Sequence, residues 1–316
     1  MDTLLKLTLL QLPKIGRQTA RAIIGFSKPE IKSTEDLWET LLEAHQANRR
    51  IPLPEKNVLE KAHGQAREIM EMAEKKHVKI ISETDDAYPQ RYHTIQDKPL
   101  VLFVKGNLKA LNSEHALAVI GTRGPSNFGI KAGDKLTKYF VEAGCTIVSG
   151  LAIGCDTVAH NACLKNKGIT VAVLAGGVDQ IYPKQNGYLV EKILDHDGTI
   201  LSEYAMGTLP RHNYFVERDR LQSGLSDAIC IVETAVKGGT MHTFRFATEQ
   251  GRLTSVLQHP VDKLNEKSMG NQYLIEQKKA IPLGNKEDIL RFIEKVKSHR
   301  VKSMVQGENK QIKLGF

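Results

Sequence analysis

Ala116-Leu117-Ala118-Val119-Ile120-Gly121-Thr122-Arg123-Gly124-Pro125-Ser126-Asn127-Phe128-Gly129 is the stretch that decides the fold. Its apolar run is short enough for a buried strand, and it breaks at a glycine turn that leads into a helical pattern. The same unit recurs outward from it. Thr146–Ser149, Thr170–Leu174, Thr199–Ser202, Ala228–Glu233 and Leu253–Leu257 are short apolar runs, each closing in a turn and followed by helical spacing. Alternating strands and helices with β-branched, fully apolar strands predict an α/β fold with a doubly wound, mainly parallel sheet. Ligands of such sheets lie outside the C-terminal strand ends, at the point where the winding reverses.

Ahead of this sheet, residues 1–75 are helical throughout, with Leu4, Leu5, Leu9 and Leu12, then Leu37, Trp38, Leu41 and Leu42, then Val58, Ala62, Ala66, Ile69 and Ala73 at helical spacing. Ser33 with Asp36 predicts a capping box, and Pro54 suits the first turn of a helix. Leu12–Ala20 has the look of a helix-hairpin-helix turn but is better read as an ordinary Pro/Gly connection. The expected division is a helical module at 1–77 (SAM-like or helix-hairpin-helix-like), a sheet domain at 78–285 and a basic C-terminal helix and tail at 286–316.

The chain's 316 residues suit about two domains. Hydrophobic residues at 41% and charged residues at 25% exclude a disordered or fibrous chain. Met1-Asp2-Thr3-Leu4-Leu5-Lys6 lacks the apolar core of a signal peptide, so a cytoplasmic protein with no membrane partner is expected. The four cysteines form no Cys-x-x-Cys pair, which argues against disulfides and zinc; no metal and no cofactor are expected. A net charge of +8 favours a polyanionic partner, although residues 291–316 alone hold seven Lys/Arg against two Glu.

Three loops carry candidate chemistry. At Gly121–Gly129, amides, the Ser126 hydroxyl and the Arg123 guanidinium meet at a helix start, which predicts a phosphate cradle. The loop matches neither Gly-x-Gly-x-x-Gly nor a Walker loop, so dinucleotide and nucleoside triphosphate enzymes are disfavoured. After the second run, Ser149–His160 places Asp156 and His160 one helical turn apart. With no third ligand nearby, the pair is assigned to supporting the loop, the carboxylate stabilising the histidine. Around the fifth run, Arg211–Arg220 alternates arginines with aromatics and Lys237–Phe244 is a glycine-rich turn into a helix. Cations, flat rings and free amides at one sheet edge suit a polymer with a charged backbone and flat bases.

The combination resembles the DprA (Smf) DNA-processing family from about Lys79 to Ile281. Asp86–Pro89 with Pro99–Asn107 is similar to the family's lead-in. Gly121–Gly129 is similar to its Gly-Ser-Arg-x-x-Ser-x-Tyr-Gly, and Ser149–His160 to its Ser-Gly-Leu-Ala-x-Gly-Ile-Asp-x-x-Ala-His. Val171–Leu174, Asp179, Tyr182, Pro183 and Leu201-Ser202-Glu203-Tyr204 follow in the same order. Two segments depart. The family's Arg-Asn-Arg becomes Arg218-Asp219-Arg220, and its Ser-Gly-Ser-Leu-Ile-Thr-Ala becomes Gly238-Gly239-Thr240-Met241-His242-Thr243-Phe244 after an added Lys237. The winged helix that ends many members is not expected here.

The resemblance implies an extended Rossmann-like domain and a non-catalytic protein that holds single-stranded DNA, often as a homodimer, and delivers it to a RecA-type recombinase. On the residues themselves, Gly121, Arg123, Ser126, Gly150, Arg218, Arg220, Lys237, Gly239 and Thr240 are the expected phosphate contacts, and Phe128, Phe215 and Phe244 the expected base-stacking rings. Asp219 is expected to turn inward and pair with Arg218, Arg220 or Arg211. The alternative is a nucleotide-binding sensor or a phosphoribohydrolase-like enzyme using the same loops, of whose Pro-Gly-Gly-x-Gly-Thr-x-x-Glu signature Gly238-Gly239-Thr240 is a partial echo.

Overall fold

In chain order the strands are β1 (Lys79–Ser82), β2 (Val101–Gly106), β3 (Ala116–Ile120), β4 (Thr146–Ser149), β5 (Thr170–Val173), β6 (Thr199–Ser202), β7 (Ala228–Ile231), β8 (Leu253–Leu257) and β9 (Ile281–Leu283). They form one nine-stranded sheet in the order β1-β2-β6-β5-β4-β3-β7-β8-β9. The computed structural model behind this description covers residues 2–26, 31 and 33–313, with side chains through His299. All pairings from β6 to β9 are parallel, while β1 pairs with β2, and β2 with β6, antiparallel. Every residue of β3 to β7 is buried, as strands covered on both faces must be. The winding runs from β3 through β4, β5 and β6 on one side and through β7, β8 and β9 on the other. The C-terminal ends of β3 and β7 therefore flank the switch point.

The helices are α1 (Thr3–Gln11), α2 (Arg17–Ile24), α3 (Thr34–Ala47), α4 (Lys56–Lys75), α5 (Asn127–Glu142), α6 (Cys155–Lys165), α7 (Gly187–Asp195), α8 (His212–Gly224), α9 (Thr240–Glu249), α10 (Met269–Glu276) and α11 (Lys286–Lys313). Leu136 and Phe140 of α5, Ala159 and Cys163 of α6 and Phe292 of α11 share an apolar cluster with one face of the sheet. Leu221 of α8, Ala247 of α9 and Leu274 of α10 share another with the opposite face. The expected capping box is present: Ser33 Oγ accepts from the Asp36 amide and the Ser33 amide donates to the Asp36 carboxylate, both at 3.1 Å. Pro54, by contrast, lies ahead of α4, whose N-cap is Glu55. All four cysteines are buried free thiols, and no helix among the described residues is long and apolar enough to cross a membrane.

Two features extend the sequence reading. The helical module shares one apolar cluster with the sheet domain, in which Leu5, Leu9, Leu37, Leu41 and Ala66 join Val101, Phe103, Ala172 and Leu189. Ion pairs tie the same boundary, from Arg21 to Glu83 at 2.6 Å and from Lys76 to Asp179 at 2.6 Å. The Leu12–Ala20 connection leads into a helix whose Arg17 reaches Asp97 at 2.5 Å and also Glu217, so this turn docks on the rest of the protein. At the other end, α11 begins as an integral element: Ile289, Phe292, Ile293 and Val296 are buried at helical spacing, and Phe292 meets Phe140 at 6.4 Å between ring centroids.

An apolar cluster shared across the boundary predicts a single unfolding event. Leu9→Ala, at a fully buried position of α1, is expected to cost about 2–5 kcal/mol and to shift one calorimetric transition of the whole chain. A separate early transition of the helical part would contradict this.

Candidate functional site

A cleft of about 620 Å³ opens at the switch point. Gly121, Thr122 and Arg123 after β3, Ala152 and Asp156 after β4, Tyr182 after β5, and Thr234, Ala235, Gly238, Gly239 and Thr240 after β7 line it. His212, Phe215, Arg218, Asp219 and Gln222 of α8 and His242 and Thr243 of α9 complete the wall. Four strand ends and the helices α6, α8 and α9 thus converge where the winding reverses, as doubly wound sheets require.

The mouth of the cleft is aromatic and cationic. The Arg123 side chain is exposed and its guanidinium lies 5.3 Å from the centroid of the Phe215 ring. Phe215 meets Tyr182 edge-on at 5.5 Å, and Tyr182 is 52% exposed. No carboxylate pairs with Arg123 among the described residues. Across the opening, α9 begins at Thr240 with Gly239 as N-cap and no side chain capping it. The Met241 and His242 amides bond the Gly238 and Gly239 carbonyls, so the Gly239 and Thr240 amides and the positive end of the helix dipole are what this start offers the cleft. Lys237 is exposed on the same loop, outside the cleft wall.

The floor is different in kind. Arg218, 5% exposed, donates Nη1 to the carbonyls of Gly150 at 2.6 Å and Val173 at 2.7 Å, and its Nε lies 3.2 Å from Asp219 Oδ1. Gly150 permits this approach, because a Cβ there would stand 1.9 Å from Arg218 Nη1. The expected inward pairing of Asp219 is therefore formed with Arg218 while the carboxyl still lines the cleft. Burial pushes the Asp219 carboxyl up to about 6, with Arg218 opposing the shift and Asp156 adding to it. Asp156 Oδ2 accepts from the amides of Gly150 at 3.0 Å and Ala152 at 3.3 Å, holding the loop after β4. Burial raises that carboxyl too.

Several sequence expectations meet a different arrangement. The cradle at the start of α5 is already filled from within: Glu233, fully buried, accepts from the Ser126 amide and at 2.8 Å from the Ser126 hydroxyl, and Asn265 Nδ2 donates to it at 3.1 Å. Ser126 itself caps α5 by accepting from the Gly129 amide. Burial works against the Glu233 charge, but the bonds from His259, Ser126 and Asn265 outweigh it and hold the carboxyl at about 2. The Ala228–Glu233 run ends as a strand at Ile231, which puts this carboxylate in the loop. Arg220 points away from the cleft into a cluster with Glu203 at 2.5 Å and Asp97 at 3.4 Å. Gly150 gives its amide to Asp156 and its carbonyl to Arg218. Phe128 packs against His259, and Phe244 packs against the core beneath α9. Of the three rings, Phe215 alone lines the cleft. His160 is not stabilised by Asp156; its Nδ1 pairs with Thr170 Oγ1 at 2.8 Å, and burial followed by the Arg218 charge lowers it to about 3. Tyr182, Gln222 and Thr243 are wall residues that the sequence singled out weakly or not at all.

A family model described as DNA recombination-mediator protein A matches residues 79–294. Protein Smf of Escherichia coli (strain K12) is 35% identical over 254 residues, covering 80% of this chain and 65% of that protein. DNA processing protein DprA of Streptococcus pneumoniae is 39% identical over 193 residues, covering 61% of this chain and 67% of its own. The chain thus spans under two thirds of the Escherichia coli relative. Among solved structures, the X-ray structure of the Streptococcus pneumoniae DprA superposes with a TM-score of 0.76 at 28% identity, over 92% of this chain and 98% of the other. The DNA processing protein A of Helicobacter pylori, studied for its single-stranded DNA binding mode, superposes with a TM-score of 0.61 at 29% identity, over 69% and 95%.

The filled cradle predicts a pH-dependent contribution to stability. The Glu233 carboxyl lies below the ordinary glutamate value of 4.5, so its stabilisation is present above that pH and lost as the pH falls through about 2. Glu233→Gln is expected to lower the unfolding free energy by about 1–3 kcal/mol near neutrality, with the gap to wild type closing in acid. Urea denaturation across pH measures it; equal stability of the two proteins at neutral pH would contradict it.

Proposed function

The chain belongs to the DNA recombination-mediator protein A family, and from that membership we propose that it is a non-catalytic protein that holds single-stranded DNA in the switch-point cleft. The observation that carries the proposal is the exposed Arg123 guanidinium over the Phe215 ring, with Tyr182 beside it and the uncapped start of α9 opposite. A guanidinium and helix-start amides suit phosphates, and exposed rings suit unpaired bases. Duplex DNA hides its base faces, so the single strand is the better ligand.

In this reading Arg123, Gly121, Gly239 and Thr240 hold phosphates, Lys237 adds long-range attraction, and Phe215 stacks a base. Arg218, Arg220, Ser126, Gly150, Asp156 and His160 shape the cleft through their internal bonds, and Phe128 and Phe244 fill the core. Homodimer formation and delivery to a RecA-type recombinase extend the same proposal. The hydrolase alternative is weaker: Asp156 is held by backbone amides and Asp219 by Arg218, which leaves neither placed as a free nucleophile.

Arg123→Ala is expected to weaken binding of a short single strand by about 1–3 kcal/mol and to make the log–log salt slope shallower by about 0.7. Lys109→Ala, at an exposed position beyond β2, is expected to change affinity little. Fluorescence anisotropy at two salt concentrations reads both. A larger loss from Lys109→Ala than from Arg123→Ala, or preference for duplex, would overturn the assignment.

Phe215→Ala is expected to cost about 1–3 kcal/mol of binding without altering the salt slope, because it removes a stacking face and no charge. A changed slope with unchanged affinity would contradict the stacking role.

A further inference from the structure

The cleft is cationic at its mouth and anionic at its floor, a division that a site for phosphate alone does not need. Asp156 and Asp219 both line the floor; the Arg218 guanidinium pairs with Asp219, and backbone amides hold Asp156. Arg218 is further drawn inward by the carbonyls of Gly150 and Val173. A phosphate entering this far would meet the Asp219 carboxyl, with the Arg218 guanidinium beside it already held in place. What fits instead is a neutral planar group whose edge carries N–H donors.

We propose that the floor is a nucleobase subsite in which Asp219 accepts a hydrogen bond from an exocyclic amino group, so that the protein prefers amino-bearing bases to uracil or thymine. The inference rests on the single-strand reading above.

Three observations support it. First, Asp219 is placed for the role: its side chain keeps 14% exposure and lies on α8 one residue from Arg218 and four from Phe215, both of which line the same cleft. A base stacked on Phe215 therefore has its edge directed along a wall that contains this carboxyl. Second, the carboxyl has acceptor capacity left. An ionised carboxylate offers about four acceptor sites, and its partners are Arg218, Thr243 and, with the Gln222 amide turned so that its nitrogen faces the acid, Gln222. Third, the surrounding groups favour a held carboxylate: the turned Gln222 amide also accepts from the Gly150 amide at 2.7 Å, so Gln222, Gly150, Arg218 and Asp219 form one closed set. At pH 8, above the value of about 6 to which burial pushes it, Asp219 is ionised and acts as an acceptor only.

Cytosine and uracil have the same ring size, and their decisive difference is at C4, where cytosine has an amino donor and uracil a carbonyl acceptor. A carboxylate accepts from the first and repels the second.

The test compares oligodeoxycytidine with oligodeoxyuridine of equal length at pH 8 and fixed salt, first on the wild-type chain and then on Asp219→Asn, whose amide can donate as well as accept. The wild type is expected to bind the cytidine strand at least about fivefold more tightly, and Asp219→Asn to bring the ratio near unity. Equal binding of both strands by the wild type would overturn the subsite while leaving the single-strand reading intact. Failure of both strands to bind would overturn that reading itself. A preference for cytidine that persists unchanged in Asp219→Asn, with the variant's thermal melt matching wild type, would show that another group reads the base.

Discussion

One buried carboxylate determines which of this sheet's amide clusters is open to an anion. Glu233 sits at the start of α5, where helix-start amides and the Ser126 hydroxyl would otherwise attract a phosphate. The chain supplies its own anion there. Gly129 has to be glycine for this, since a Cβ would stand 2.7 Å from Glu233 Oε2. Asn265 and His259 close the other side of the carboxylate, so the loops after β3, β7 and β8 are fixed to one another through it. With that cradle filled, the first loop offers Arg123, and the start of α9, which no side chain caps, lines the same cleft.

Arg218 plays the corresponding part on the other wall. It joins the C-terminal ends of β4 and β5 through the Gly150 and Val173 carbonyls and binds Asp219 on its own helix. The opposite face of α8 is held by charges of the helical module: Arg17 bridges Asp97 and Glu217, and Arg220 joins the same group through Asp97 and Glu203. Breaking the buried Arg220–Glu203 pair is costly, whereas the half-buried pairs of Arg17 add modest net stability. The effect of the whole set is positional, fixing the helix that presents Phe215, Arg218 and Asp219 to the cleft and tying that helix to residues far earlier in the chain.

The alternation of apolar runs and glycine turns around Ala116–Ile120 made the parallel part of the sheet legible, because strands buried on both faces need continuous apolar sequence. β1 and β2 were less so; Val101–Val104 is as apolar as any core strand, but antiparallel placement beside β6 depends on long-range pairing. The apolar stripe of α11, Ile289, Phe292, Ile293 and Val296, was masked by the excess of Lys and Arg around it. Site residues separated by the same logic. Arg123, on the loop after β3, and Phe215, on α8, were both singled out in the sequence and both line the cleft. Ser126 and Arg220 look like phosphate ligands in isolation, and only the partners that approach from distant segments, Glu233 for the first and Asp97 and Glu203 for the second, give them internal roles. The carboxylate at 233 was visible in the sequence as the last residue of an apolar run, but nothing local indicated that it turns toward α5.

The central claim is that nucleic acid occupies the cleft between Arg123 and the start of α9 while Glu233 keeps the start of α5. A crystal structure of the chain with a short single-stranded oligonucleotide tests it most directly. The account predicts phosphate oxygens within hydrogen-bonding distance of the Arg123 guanidinium and the Gly239 and Thr240 amides, with the Glu233 bonds to Ser126 unchanged. A phosphate on the Ser126–Gly129 amides, with Glu233 displaced, would contradict it.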